Sequence, residues 1–164
     1  MGDGPCAALI SGHSFLIVYE RSVYEFDTRV GGPTSNGGWK TTWPQLQVSR
    51  EDMGCALLGT NRFIVAGGYA GGNNNLKSTE IINIESKTIE FGGEMEKPRG
   101  YFHLITISGS IHALGGRYYD GGWIFLADVE EFVEETGTWK PATSLPGRRW
   151  LYGGLAVNLD LVCG

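Results

Sequence analysis

Gly54-Cys55-Ala56-Leu57-Leu58-Gly59-Thr60-Asn61-Arg62-Phe63-Ile64-Val65-Ala66-Gly67-Gly68 holds two short apolar runs, a turn between them, and a paired glycine that closes the second run. Runs of this length, bounded by turn residues, read as strands, and a turn that tolerates positive φ folds them into an antiparallel hairpin. The pattern returns later in the chain as His103 to Ile107, Ser108-Gly109-Ser110, Ile111 to Leu114 and Gly115-Gly116.

Outward from these hairpins the repetition continues. Arg50, Arg99 and Arg148 recur every 49 residues, and a glycine follows 17, 16 and 16 residues later, at Gly67, Gly115 and Gly164. Beyond each glycine pair a polar connection leads to Thr79-Glu80-Ile81-Ile82 or Val129-Glu130-Glu131-Phe132, and nine residues past Glu80 and Glu130 sit Ile89 and Trp139. Glu80 to Ile84 with Thr88 to Phe91, and Val129 to Val133 with Thr138 to Lys140, supply two further strands, so each unit is a meander of four. A period of about 50 residues with four strands per unit specifies an all-β chain of β-propeller blades rather than a helical solenoid.

These landmarks resemble kelch repeats, whose pattern includes a diglycine, a separated aromatic pair and an arginine. Gly67-Gly68 and Gly115-Gly116 match the diglycine, Phe132 and Trp139 the aromatic pair, and Ile82 and Ile89 are aliphatic stand-ins. The resemblance implies an incomplete, open propeller over residues 1–164: a degenerate blade 1 at about 3–49, blade 2 at about 50–98, blade 3 at about 99–147 and a half-blade at 148–164. In the first unit Cys6-Ala7-Ala8-Leu9 echoes Cys55-Ala56-Leu57-Leu58, Tyr19-Glu20 stands where the diglycine belongs, and Trp39 is the expected equivalent of Trp139. Propellers close with four to eight blades. The repeat count therefore leaves three arrangements open: a piece of a longer protein, two copies in one ring, or an open arc. The half-blade at Leu151 to Gly164 is an expected site of self-association, because its strand edge and apolar face lack neighbours.

With 164 residues, 41% of them hydrophobic and 12% aromatic, the chain is large enough for one folded core. A net charge of −5 argues against nucleic-acid binding, which needs a cationic face. No window approaches 18 uninterrupted apolar residues, so no membrane span is expected, and Met1 to Cys6 lacks the features of a signal peptide. Cys6, Cys55 and Cys163 all fall in expected strands and read as buried free thiols. With the absence of an Asn-x-Ser/Thr sequon, they lean towards a cytoplasmic protein, secretion remaining open.

For recognition, the connections after the diglycines stand out, Tyr69 to Ser78 and Arg117 to Leu126. Tyr69, Asn73, Tyr118, Tyr119 and Trp123 are candidate contacts there, because rigid aromatics beside a charge are what interface hot spots use. Arg99, Arg148, Arg149 and Trp150 precede first strands and join the candidates as a basic rim for an acidic peptide. The competing role for Arg50 and Arg99 is structural, bonding backbone or pairing with an acidic residue. His13, His103 and His112 form no zinc pattern, and no catalytic signature or cofactor motif is recognisable. The expected function is a noncatalytic module that binds a protein partner of acidic or polar character. The alternative is part of a kelch-type propeller enzyme, resembling galactose oxidase or a sugar epimerase, acting on a sugar or small polar substrate.

Overall fold

The computed structural model describes residues 5–30, 38–40 and 42–148, which form strands and no helix. The first sheet runs β1 (Cys6–Ser11), β2 (Ser14–Tyr19), β3 (Ser22–Asp27) and β4 (Trp39–Lys40) in that order. The second runs β5 (Gly54–Leu58), β6 (Arg62–Ala66), β7 (Thr79–Asn83) and β8 (Thr88–Gly92). The third begins with β9 (His103–Ile107) and β10 (Ser110–Leu114), continues after an inserted hairpin of β11 (Arg117–Tyr119) and β12 (Trp123–Phe125), and ends with β13 (Val129–Val133) and β14 (Thr138–Ala142). All pairings are antiparallel. Each sheet is one blade of an incomplete propeller, and the first strands lie side by side, β1 against β5 and β5 against β9.

Strand alternation sends every second side chain towards the preceding blade and the others towards the following one. Leu16, Val18 and Val23 of blade 1 thus pack on Phe63, Val65 and Ile82 of blade 2. The opposite face of blade 2, with Ala56, Leu58, Ile64 and Ile81, packs on Leu104, Ile111 and Phe132 of blade 3. Trp139 joins this second interface. Its ring meets Phe132 edge-on at 5.2 Å, and its Nε1–H donates across the blades to Thr79 Oγ1 at 3.0 Å.

The aromatic pair is in register in blades 1 and 3, as Phe26 opposite Trp39 and Phe132 opposite Trp139, and its aliphatic stand-in is in register in blade 2, as Ile82 opposite Ile89. The opening strand of blade 1 departs from the expected echo. Ala8 pairs with Leu16 as Ala56 pairs with Ile64, and both pairs face the following blade, so the structural offset between blades 1 and 2 is 48 residues. Cys6 therefore occupies the position of Gly54, not of Cys55. A slip of one residue reverses the face of every side chain in a strand, and this one turns Cys6 towards blade 2.

There it meets Cys55 in a disulfide, with Cα atoms 6.0 Å apart. This corrects the expectation of free thiols at both positions. The separation lies in the range that cystine accepts, and it arises because adjacent blades present these two strands to each other at the inner edge. Cys163, with the half-blade at 148–164 beyond Arg148, lies outside the described residues.

The diglycines end the second strands as expected, for two reasons. Gly67, Gly68, Gly115 and Gly116 all adopt positive φ, between 60° and 96°. A Cβ on Gly68 would also stand 2.4 Å from the Glu51 carbonyl oxygen. The Gly68 N–H meanwhile donates to the Arg99 carbonyl at 2.8 Å, joining blade 2 to the segment that opens blade 3.

Candidate functional site

The connections that leave the diglycines emerge at the same end of the blades as the segments that enter the first strands. Sequence led to two groups of residues at this end, arginines and aromatics, and the structure separates them.

Arg50 and Arg99 are wholly buried. Arg50 Nη1 donates to the carbonyls of Gly67 and Ser78 at 3.0 and 2.8 Å, and its Nε and Nη2 reach Glu80 Oε1 at 3.2 and 3.0 Å. Glu80 in turn accepts from the backbone N–H groups of Gln47 and Val48. Arg99 repeats the arrangement: Nη1 donates to Gly115 and Asp128 carbonyls at 2.9 and 3.1 Å, Nη2 pairs with Glu130, and Glu130 accepts from the N–H groups of Glu96 and Lys97. Burial draws both guanidiniums below their ordinary pKa, and the paired glutamates oppose it. Each pair ties the incoming interblade segment to the exit of the second strand. Arg99 therefore cannot serve as a surface contact, and its place among the binding candidates is corrected. Arg148 is exposed, whereas Arg149 and Trp150 lie outside the described residues.

The aromatic residues do converge. Arg117 opens the inserted hairpin, and its guanidinium lies 4.2 Å from the Tyr101 ring and 4.1 Å from the Trp123 ring, a cation held between two π faces. Trp123 meets Tyr119 at 5.5 Å and Tyr69 at 6.3 Å, both edge-on. Tyr69 is buried and donates from its hydroxyl to the Arg117 carbonyl at 3.0 Å, and burial pushes its phenol up to about 12. The ring fits because Gly100 beneath it has no side chain: a Cβ there would stand 2.2 Å from a ring carbon. Asn75 joins the blade 2 connection to the hairpin by bonding both main-chain groups of Tyr119. Trp123 is exposed, Tyr118 and Tyr119 are half-buried, and Asn73 is exposed at the tip of its loop.

Sequence reasoning missed three contributors. The hairpin of β11 and β12 lies inside the connection Arg117 to Leu126, where Arg117-Tyr118-Tyr119 and Trp123-Ile124-Phe125 around Asp120-Gly121-Gly122 carry a hairpin pattern of their own. Tyr101 gave no signal beyond lying 49 residues after Asp52. Both adopt positive φ, 53° and 51°, and the Tyr101 N–H donates to the Asp52 carbonyl at 3.0 Å. Non-glycine residues held in that region carry strain that the surrounding structure must maintain. Asn75 was one of three consecutive asparagines that sequence does not distinguish. His103 and His112 lie on paired strands but in different rows, opposite Leu114 and Ile105. Among the described residues no group of three or more His, Cys, Asp or Glu side chains is arranged to hold a metal ion.

The three-blade arrangement recurs in a solved structure, that of YjhT, which this chain matches with a TM-score of 0.74 over 88% of its own length and 51% of that chain, at 13% sequence identity. At the level of sequence, the chain is similar to Kelch-like protein 33 of Homo sapiens, 32% identical over 110 residues. The blades are similar to those of kelch-repeat proteins. A kelch repeat and BTB domain-containing protein of Ectromelia virus (strain Moscow) is 36% identical over 93 residues, and an F-box/kelch-repeat protein of Arabidopsis thaliana 27% over 124. These alignments cover 63%, 57% and 75% of this chain, and 20%, 16% and 30% of the relatives. The chain thus spans less than a third of each curated relative's length. No family model matches it.

Proposed function

We propose that these kelch blades form a noncatalytic protein-binding module whose contact surface is the cluster of Tyr118, Tyr119, Trp123 and Arg117, with Asn73 and Arg148 at its margins. The observation that carries this reading is Trp123, exposed yet fixed. Its ring is held by Arg117 on one face and by Tyr69 and Tyr119 at its edges. A rigid, partly exposed tryptophan buries a large area on binding and loses little side-chain entropy, which is the character of a hot spot. The kelch relatives, named with BTB or F-box domains in two cases, fit a role in protein assembly.

The partner is a protein segment of acidic or polar character with an apolar anchor. The anchor packs on Trp123 and Tyr119, and its polar flank meets Arg117 and Arg148. Capture of a partner by the immobilised chain, followed by titration of the purified pair, tests this. Trp123→Ala and Tyr119→Ala each weaken binding by about tenfold or more with the melting temperature kept, whereas Lys87→Ala, on a turn at the far end of blade 2, does not. Unchanged affinity in both aromatic variants, with loss in the Lys87 variant, assigns the wrong end.

A further inference from the structure

Backbone strain and a covalent constraint meet at the entry of β5. Asp52 and Tyr101 are held at φ 51° and 53°, a region that costs a side chain energy and persists only where the surroundings over-determine it. The main chain at these positions seats the aromatic cluster. Glu51 and Tyr69 exchange two N–H to carbonyl bonds at 2.9 Å, and the Tyr101 N–H donates to the Asp52 carbonyl at 3.0 Å. Tyr69 in turn supports Trp123 edge-on, and the Tyr101 ring carries the Arg117 guanidinium.

Shortly beyond Asp52, Cys55 pins this segment to blade 1 through its bond to Cys6. On the other side β5 is pressed on blade 3, where a Cβ at Gly54 would stand 2.8 Å from the Phe102 ring. The disulfide is thus one of the constraints that hold Asp52 in its left-handed conformation. It is open to small solutes, because both cysteines are only half-buried. Breaking it does not release blade 1, since Leu16 and Val18 stay packed with Phe63 and Val65 and keep the two thiols facing each other.

We propose that Cys6 and Cys55 form a reversible thiol–disulfide switch, which orders the cluster of Tyr69, Tyr101, Arg117 and Trp123 when oxidised and loosens it when reduced. The reductant is a low-molecular-weight thiol of the glutathione class. Its thiolate attacks one cystine sulfur, the S–S bond breaks, and the other cysteine leaves as a thiolate while a mixed disulfide forms. A second small thiol resolves the mixed bond and departs with the first as their own disulfide. The two small thiols thereby lose two electrons and two protons, which the two cysteines gain, and the small disulfide reverses the exchange. Without the bond, Asp52 relaxes and its hold on Tyr101 slackens, as does that of Glu51 on Tyr69. The consequence for a partner rests on the reading of this cluster as the contact surface.

Equilibration of the full chain in glutathione buffers, from cytosolic to secretory poise, tests the proposal, with alkylation and peptide mapping to read each cysteine. Cys6 and Cys55 interconvert in both directions within that range, and the reduced chain keeps a cooperative melt. Hydrogen exchange at the Glu51, Tyr69 and Tyr101 amides is about fivefold faster or more in the reduced form, while β7 and β10 keep their rates. Cys6→Ser shows the reduced pattern without reductant, and Cys163→Ser, which leaves Cys6 and Cys55 as the remaining cysteines, responds as the wild type does. A captured partner binds the oxidised form about fivefold more tightly or better. A bond that stays formed or stays open across all buffers, a melt lost on reduction, or exchange indifferent to redox state overturns the switch. So does equal affinity of both forms for a partner whose binding Trp123→Ala weakens. Binding indifferent to Trp123→Ala overturns the contact reading instead, and exchange alone then decides the switch.

Discussion

Asn75 and Tyr119 are joined by two hydrogen bonds, from Asn75 Nδ2 to the Tyr119 carbonyl at 2.6 Å and from the Tyr119 N–H to Asn75 Oδ1 at 3.0 Å. An amide side chain here does the work of a strand neighbour, and it fixes the blade 3 hairpin to the blade 2 connection. Asn75→Ala leaves the Tyr119 main chain without these partners and costs about 1–2 kcal/mol locally. Hydrogen exchange should show faster exchange in residues 117–125 with β6 and β10 unchanged. Equal protection in both proteins means that the hairpin holds itself.

The buried ion pairs are expected to be stiff dependencies of the fold. Glu130→Ala strands the Arg99 charge in the interior and is expected to cost about 3–5 kcal/mol, as is Glu80→Ala beside Arg50. Replacing both partners, as in Arg99→Met with Glu130→Leu, costs less than the sum of the single changes. A double-mutant cycle by urea denaturation measures the difference.

Gly68→Val and Gly116→Val each force a branched residue to φ near 91° or 96°, and the added Cβ meets Glu51 O at 2.4 Å or Phe102 Cβ at 2.8 Å. A loss of at least ~2 kcal/mol follows, or about 4–8 °C in melting temperature. Gly12→Ala, with nothing within 4 Å of its Cβ, is the matched control and leaves the melt nearly unchanged.

Burial raises the Tyr69 phenol from its ordinary 10 to about 12, so the folded chain favours the neutral form. The associated stability is complete below pH 10 and is lost as pH rises through 10 to about 12. Urea midpoints should fall over that alkaline range in the wild type. Tyr69→Phe starts from a lower midpoint, lacking the bond to the Arg117 carbonyl, and shows a smaller alkaline decline.

Blades 2 and 3 were legible because their landmarks repeat in step. A run of apolar residues, a turn and two glycines locates β5 and β6 within a residue of their observed ends. Blade 1 was legible in its pairing, since Trp39 lies opposite Phe26, but not in the facing of its first strand. The match of Cys6 to Cys55 by letter hides a one-residue slip that only the partners of Ala8 and Ala56 reveal. At the site, identical spacing of Arg50 and Arg99 does not say whether a guanidinium points inward or outward. That depends on Glu80 and Glu130, about 30 residues downstream, and on the carbonyls that the diglycines expose. The convergence of Tyr69, Arg117 and Trp123 needed the removal of a side chain at Gly100, which sequence presents as one glycine among 26.

The bond between Cys6 and Cys55 encloses β1 through β4 in a single covalent loop. When blade 1 breathes open in the oxidised chain, its first strand remains anchored to the inner strand of blade 2, and reclosure is a search over a tethered loop rather than a free end. The reduced chain lacks that leash. Limited proteolysis with and without reductant would then distinguish two lifetimes of one blade: brief openings that re-form before cleavage, and longer ones in which the first sheet is lost while its neighbours persist.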